Sequence, residues 1–154
     1  MTIEDDIAFL ERVPMLHRLG TGALRILAIG AESYTVEAGQ MLFAAGDAAD
    51  CAYIVQEGSF TLAAQRSGGD EAIAEPGTLL GETALLAETL RPATATARQA
   101  STVMRISRAM FLKMLESYPE AAQRLRELIA ARAEQWASEM EKVRAALARG
   151  TGPQ

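Results

Sequence analysis

The sequence predicts an α+β fold, mainly β, in which short strands build a sandwich or jelly roll between helical ends. Three observations carry this. Between Ser33 and Ile106, glycine-bearing turns recur about every ten residues with short apolar runs between them. Before that stretch, apolar residues fall at helical spacing. After it, no glycine or proline separates Pro119 from Gly150, so a long helix is permitted.

Residues 3–12 form the first predicted helix, with Ile3, Ile7, Phe9 and Leu10 in helical register. Thr2 can cap it, and Glu4, Asp5 and Asp6 suit the positive end of its dipole. Pro14 stops it. A second helix is expected over 21–31, with Leu24, Leu27 and Ala28 on one side. His17, between them, is read as a helix-surface or capping residue.

Seven strands follow: Tyr34–Glu37, Met41–Phe43, Tyr53–Val55, Phe60–Ala64, Ala72–Ala74, Thr94–Ala97 and Thr102–Ile106. Gly39, Gly46-Asp47, Gly58, Gly68-Gly69 and Pro76-Gly77 mark the turns. Then come a helix over 108–117 and a second one that Pro119 can open and Gly150 can close. At 1.5 Å per residue it is ~45 Å long. Its apolar residues Ile129, Ala133, Trp136, Met140, Val143 and Leu147 are spaced four and three apart, which is heptad order. That face either lies on the chain's own strands or forms a self-association seam, and the seam, a homodimer, is the expectation favoured.

The 154 residues fit one domain, read as 1–32 helical, 33–106 β and 107–149 helical. A net charge of −5 argues against a nucleic-acid binder, whose surface is usually basic. A single cysteine, Cys51, excludes an intrachain disulfide and is read as a buried, inert thiol. With His17 the sole histidine, no multi-histidine metal site of the cupin type can form, and no metal is expected. No apolar run approaches the ~18–20 residues of a membrane span. The acidic start, Met1-Thr-Ile-Glu-Asp-Asp6, is unlike a signal peptide, so a cytoplasmic protein is expected. The polar residues supply no nucleophile–base pair or paired buried carboxylates, and no enzyme is expected.

The most informative stretch is 81–97, Gly-Glu-Thr-Ala-Leu-Leu-Ala-Glu-Thr-Leu-Arg-Pro-Ala-Thr-Ala-Thr-Ala. Gly81 allows close backbone approach, and the start of a short helix leaves N–H groups that can face an anion. An ionised Glu82 only accepts hydrogen bonds, so it suits a sugar hydroxyl. Arg91 can offer a bidentate fork to two phosphate oxygens. Each residue has a plainer reading too: Gly81 as a turn glycine, Arg91 as a surface partner of Glu88.

This stretch resembles the phosphate-binding cassette of cyclic-nucleotide-binding domains, with Gly81, Glu82, Ala84, Leu85, Leu86, Arg91, Ala93 and Thr94 in register. The marks Gly39-Gln-Met-Leu-Phe43, Gly46-Asp47, Tyr53-Ile-Val-Gln-Glu-Gly58 and Pro76-Gly77 extend the resemblance from about residue 8 to about 130. It implies an eight-stranded-type jelly-roll β-barrel and a cyclic nucleotide, cAMP or cGMP, as ligand. The implied ligand-binding set is Gly81, Glu82, Thr83, Ala84, Arg91, Pro92, Ala93 and Thr94. Glu82 would take the ribose 2′-hydroxyl and Arg91 the cyclic phosphate. Around Arg124, Leu125 and Leu128 the last helix would cap the base, and Trp136 would anchor the seam or stack on the purine.

The resemblance implies a sensor that signals through its C-terminal helices to a protein partner; the alternative is a ligand-free scaffold for dimerisation. No recognition helix follows the long helix, so direct DNA binding is not expected. Pro92 departs from the family pattern, since the residue there usually donates its N–H to the phosphate and proline has none. A lost charge-assisted hydrogen bond costs roughly 1.5–3 kcal/mol. Arg91, read as an exposed site, should be replaceable within about 1 kcal/mol of stability.

Overall fold

A computed structural model describes residues 2–64 and 71–150, excluding the side chains of residues 132, 133, 136, 149 and 150. The expected Gly68-Gly69 turn lies outside the described residues.

Helix α1 (Ile3–Glu11) begins with a capping box. The Asp5 amide donates to the Thr2 hydroxyl and the Thr2 amide to the Asp5 carboxylate, each at 3.1 Å. Those bonds from Thr2 hold the Asp5 carboxyl below its ordinary range. At the other end His17 Nδ1 donates to the Glu11 carbonyl at 2.9 Å, so the lone histidine closes α1. Helix α2 (Thr21–Gly30) buries Ala23, Leu24, Leu27 and Ala28.

Among the described residues ten strands follow: β1 (Glu32–Val36), β2 (Met41–Phe43), β3 (Ala48–Ala49), β4 (Cys51–Glu57), β5 (Phe60–Ala64), β6 (Glu71–Ala74), β7 (Leu79–Leu80), β8 (Thr89–Leu90), β9 (Ala93–Ala97) and β10 (Ser101–Ser107). All pairings are antiparallel. One sheet runs β1-β10-β4-β7, the other β2-β9-β5-β6, and β3-β8 form a separate ribbon. The expected barrel is therefore an open sandwich. Among the described residues no ladder joins β1 to β2 or β6 to β7, and Val36, Met41, Tyr53 and Arg105 line an open cleft of about 600 Å³. All seven expected strands are present, Met41–Phe43 and Phe60–Ala64 with the expected ends and the other five with an end moved by one or two residues. The three extra strands have two residues each, too short to show a period in the sequence.

Strand alternation divides the core in two. From β4 and β10, Ala52, Ile54, Met104 and Ile106 face the helices and pack with Leu10, Leu16, Leu24, Phe111, Met114 and Leu125. Val55 and Val103 face the other sheet and cluster with its Phe60 and Ala95 and with Leu80 of their own sheet. Cys51 and Tyr53 share the Val55 side of β4. Helix α3 (Arg108–Ser117), capped by Ser107, supplies Phe111 and Met114.

Helix α4 (Pro119–Gly150) holds Ala121 and Leu125 in the core and then leaves the sandwich. Its heptad residues Ile129, Met140, Val143 and Leu147 are 41, 43, 51 and 63% exposed, so these four side chains are not buried against the chain's own strands. The side chains of Ala133 and Trp136 lie outside the described residues. Among the described residues no helix is long and apolar enough to cross a membrane.

Candidate functional site

The chain leaves β7 at Gly81, which is left-handed (φ +80°), and enters a 3₁₀ turn over Glu82–Leu85. The expected short helix is thus a single tight turn, anchored by buried Ala84 and Leu85. Glycine is needed at 81 twice over. Its φ is one that L side chains rarely adopt. A β-carbon there would also collide with Arg91 Nη1.

Arg91 follows β8, and its backbone prolongs the ribbon. Its amide donates to the Asp47 carbonyl and its carbonyl accepts from the Gly46 amide, both at 2.8 Å. The side chain turns inward and is 5% exposed, which corrects its reading as an exposed residue. The guanidinium carbon stands 4.4 Å from the Phe43 ring centroid and 5.5 Å from that of Tyr53. Nη2 donates to the Cys51 sulfur at 3.3 Å. Nη1, beside Gly81, is buried without a hydrogen-bond partner among the described residues. Among the described residues no carboxylate pairs with Arg91, Glu88 included. A buried cation without a counter-ion is costly, and an incoming anion relieves that cost.

Gly81 and Arg91 are thus brought together. Glu82, next in the chain to Gly81, borders two neighbouring clefts. One, of about 320 Å³, includes Pro14, Met15 and Thr78; the other, of about 200 Å³, includes Met15, Thr83, Leu86 and Ile129. Thr83 and Pro92 are exposed, and Ala93 is half-buried in β9. The Thr94 hydroxyl accepts from the Ala45 amide at 2.9 Å, so it holds the β2–β3 connection. The expected base-capping residues pack elsewhere. Leu125 is in the helical core, Leu128 packs against it, and Arg124 Nη1 donates to the Arg18 carbonyl at 3.3 Å.

Phe43, Cys51 and Tyr53 are the site residues that sequence reasoning missed. The sequence presents Cys51 as an inert thiol and the other two as strand residues. The available signal was the i, i+2 spacing of Cys51 and Tyr53, which puts both on one face of β4.

The Tyr53 phenol is pushed up to about 12, first by burial and then by its hydrogen bond with Cys51. The fold favours its protonated form, so the contribution to stability is complete below the ordinary value of 10.0. As pH rises from there to about 12, the unfolded chain loses a proton that the fold retains, and stability falls. Urea unfolding followed through alkaline pH should show this decline, and Tyr53→Phe should flatten it. An equal decline in the variant would assign it to other groups.

Comparison with known proteins bears on the family and the fold. The sequence model described as the cyclic nucleotide-binding domain matches residues 34–118. A cAMP-dependent protein kinase regulatory subunit of Yarrowia lipolytica is 33% identical over 107 residues; the match takes in 70% of this chain and only 28% of that protein. A cyclic nucleotide-binding-like protein from Brucella abortus superposes with a TM-score of 0.64 at 40% identity, over 73% of this chain and 98% of that one. The N-terminal domain of a transcriptional regulator from Streptomyces coelicolor A3(2) superposes at 0.78 with 28% identity, over 86% and 94% of the two chains.

Proposed function

The chain belongs to the cyclic nucleotide-binding domain family, and from that premise we propose that it is a cyclic-nucleotide sensor whose phosphate-binding residue is Arg91. The observation that carries this reading is the buried Arg91 guanidinium, with Nη1 unpartnered against Gly81. The cyclic phosphate takes that donor and supplies the missing negative charge. Glu82, one residue beyond Gly81, accepts from the ribose 2′-hydroxyl. cAMP is the first ligand to try, because the kinase regulatory subunit that the chain resembles is named for it.

The signal leaves through the C-terminal helices. Ile129 and Leu86 border the same cleft as Glu82, so a ligand at Glu82 adjoins the point where α4 departs from the core. Binding that favours one placement of α4 shifts the population toward it. We assign the exposed face of Met140, Val143 and Leu147 to a homodimer seam, through which a cytoplasmic protein effector reads that placement. Val143→Asp should turn a dimer into a monomer in light scattering, since it buries a charge in the seam. A mass unchanged from wild type would remove the seam.

A second reading, a scaffold without ligand, is favoured by Pro92, which offers the phosphate no N–H. Calorimetric titration of nucleotide-free protein with cAMP and then cGMP separates the two. Saturable binding supports the sensor; no heat and no thermal shift at millimolar ligand supports the scaffold.

A further inference from the structure

A buried guanidinium is ordinarily held by a carboxylate, which also neutralises it. Arg91 is held differently. Phe43 from β2 and Tyr53 from β4 stack at 22° with centroids 6.0 Å apart, and the guanidinium carbon lies over both rings. β2 and β4 belong to opposite sheets, so the arginine is gripped between the two halves of the sandwich.

We propose that Phe43 and Tyr53 form an aromatic seat that positions Arg91 for an incoming anion, with Phe43 as the main positioning residue. The inference deepens the nucleotide reading above and rests on it. A ring beneath the guanidinium carbon attracts the cation through its quadrupole and takes up none of the N–H donors. Among the described residues the one hydrogen bond Arg91 makes through its guanidinium goes to Cys51 sulfur, a weak acceptor. The donors therefore remain for an oxyanion, and among the described residues no carboxylate forms an ion pair with Arg91. Phe43 is closer than Tyr53 by about 1 Å and is only half-buried, so its replacement should leave the fold intact.

The test combines two readouts. The first is a double-mutant cycle on urea unfolding without nucleotide, using wild type, Phe43→Leu, Arg91→Leu and the double variant. The second is cAMP affinity of wild type, Phe43→Leu and Phe43→Tyr. Phe43→Leu should cost less stability once Arg91 is gone. It should also weaken cAMP binding about tenfold, while Phe43→Tyr, which keeps a ring, stays within about threefold of wild type. Additive stabilities overturn the seat. So does wild-type affinity in a folded Phe43→Leu protein. If wild type binds no cAMP but the stability coupling is present, the seat stands and the nucleotide reading falls; the two failures are thereby distinct.

Discussion

Arg91→Leu is expected to abolish cyclic-nucleotide binding while leaving the nucleotide-free fold as stable as wild type, or more so. Hydrogen bonds to charged groups contribute about 1.5–3 kcal/mol each, so losing a bidentate phosphate contact lowers affinity about a hundredfold or more. Stability should respond in the other direction. Arg91 is almost fully buried, has one orphan nitrogen, and has no carboxylate partner among the described residues. Exchanging such a charge for an apolar side chain of similar length removes a desolvation cost, which the aromatic contacts of Phe43 and Tyr53 offset only in part. A merely structural arginine would behave oppositely, with lower stability and unchanged binding. Calorimetric titration and urea unfolding of the same two proteins distinguish these outcomes.

Gly81→Val should damage fold and site together. A β-branched residue at φ +80° is strained by about 1–3 kcal/mol before any contact is counted. Its β-carbon also collides with Arg91 Nη1, so either the arginine leaves its seat or the turn at Glu82 moves. The expected result is a lowered urea midpoint with cAMP affinity reduced at least tenfold, since arginine and turn cannot both keep their places. Affinity equal to wild type would show that the contact between Gly81 and Arg91 does not matter to the ligand.

These two residues also mark how far the sequence can be read. Gly81 and Arg91 were legible as a pair because a turn glycine and an isolated arginine stand at fixed spacing around a short apolar segment. The flanking helices were legible from their period and caps, as Thr2 with Asp5 shows. The burial of Arg91 was not legible. Propensity places an arginine outside, and what draws this one inward is a pair of rings from strands remote in sequence. Phe43 and Tyr53 read only as strand residues until β2 and β4 face each other across the sandwich. Closure of the strands was likewise decided by long-range pairing. Two-residue strands such as β7 and β8 have no period of their own, and whether β1 reaches β2 is a matter of sheet geometry. The heptad face of α4 was legible as a pattern, and the structure adds that the chain's own sandwich does not cover Met140, Val143 or Leu147.

The most direct test of the central claim is calorimetric titration of the intact, nucleotide-free protein with cAMP, with Arg91→Leu run in parallel. The account predicts saturable binding to wild type in the micromolar range, about −8 kcal/mol, and none to the variant. Equal binding by both proteins, or none by wild type at millimolar cAMP and cGMP, would contradict it.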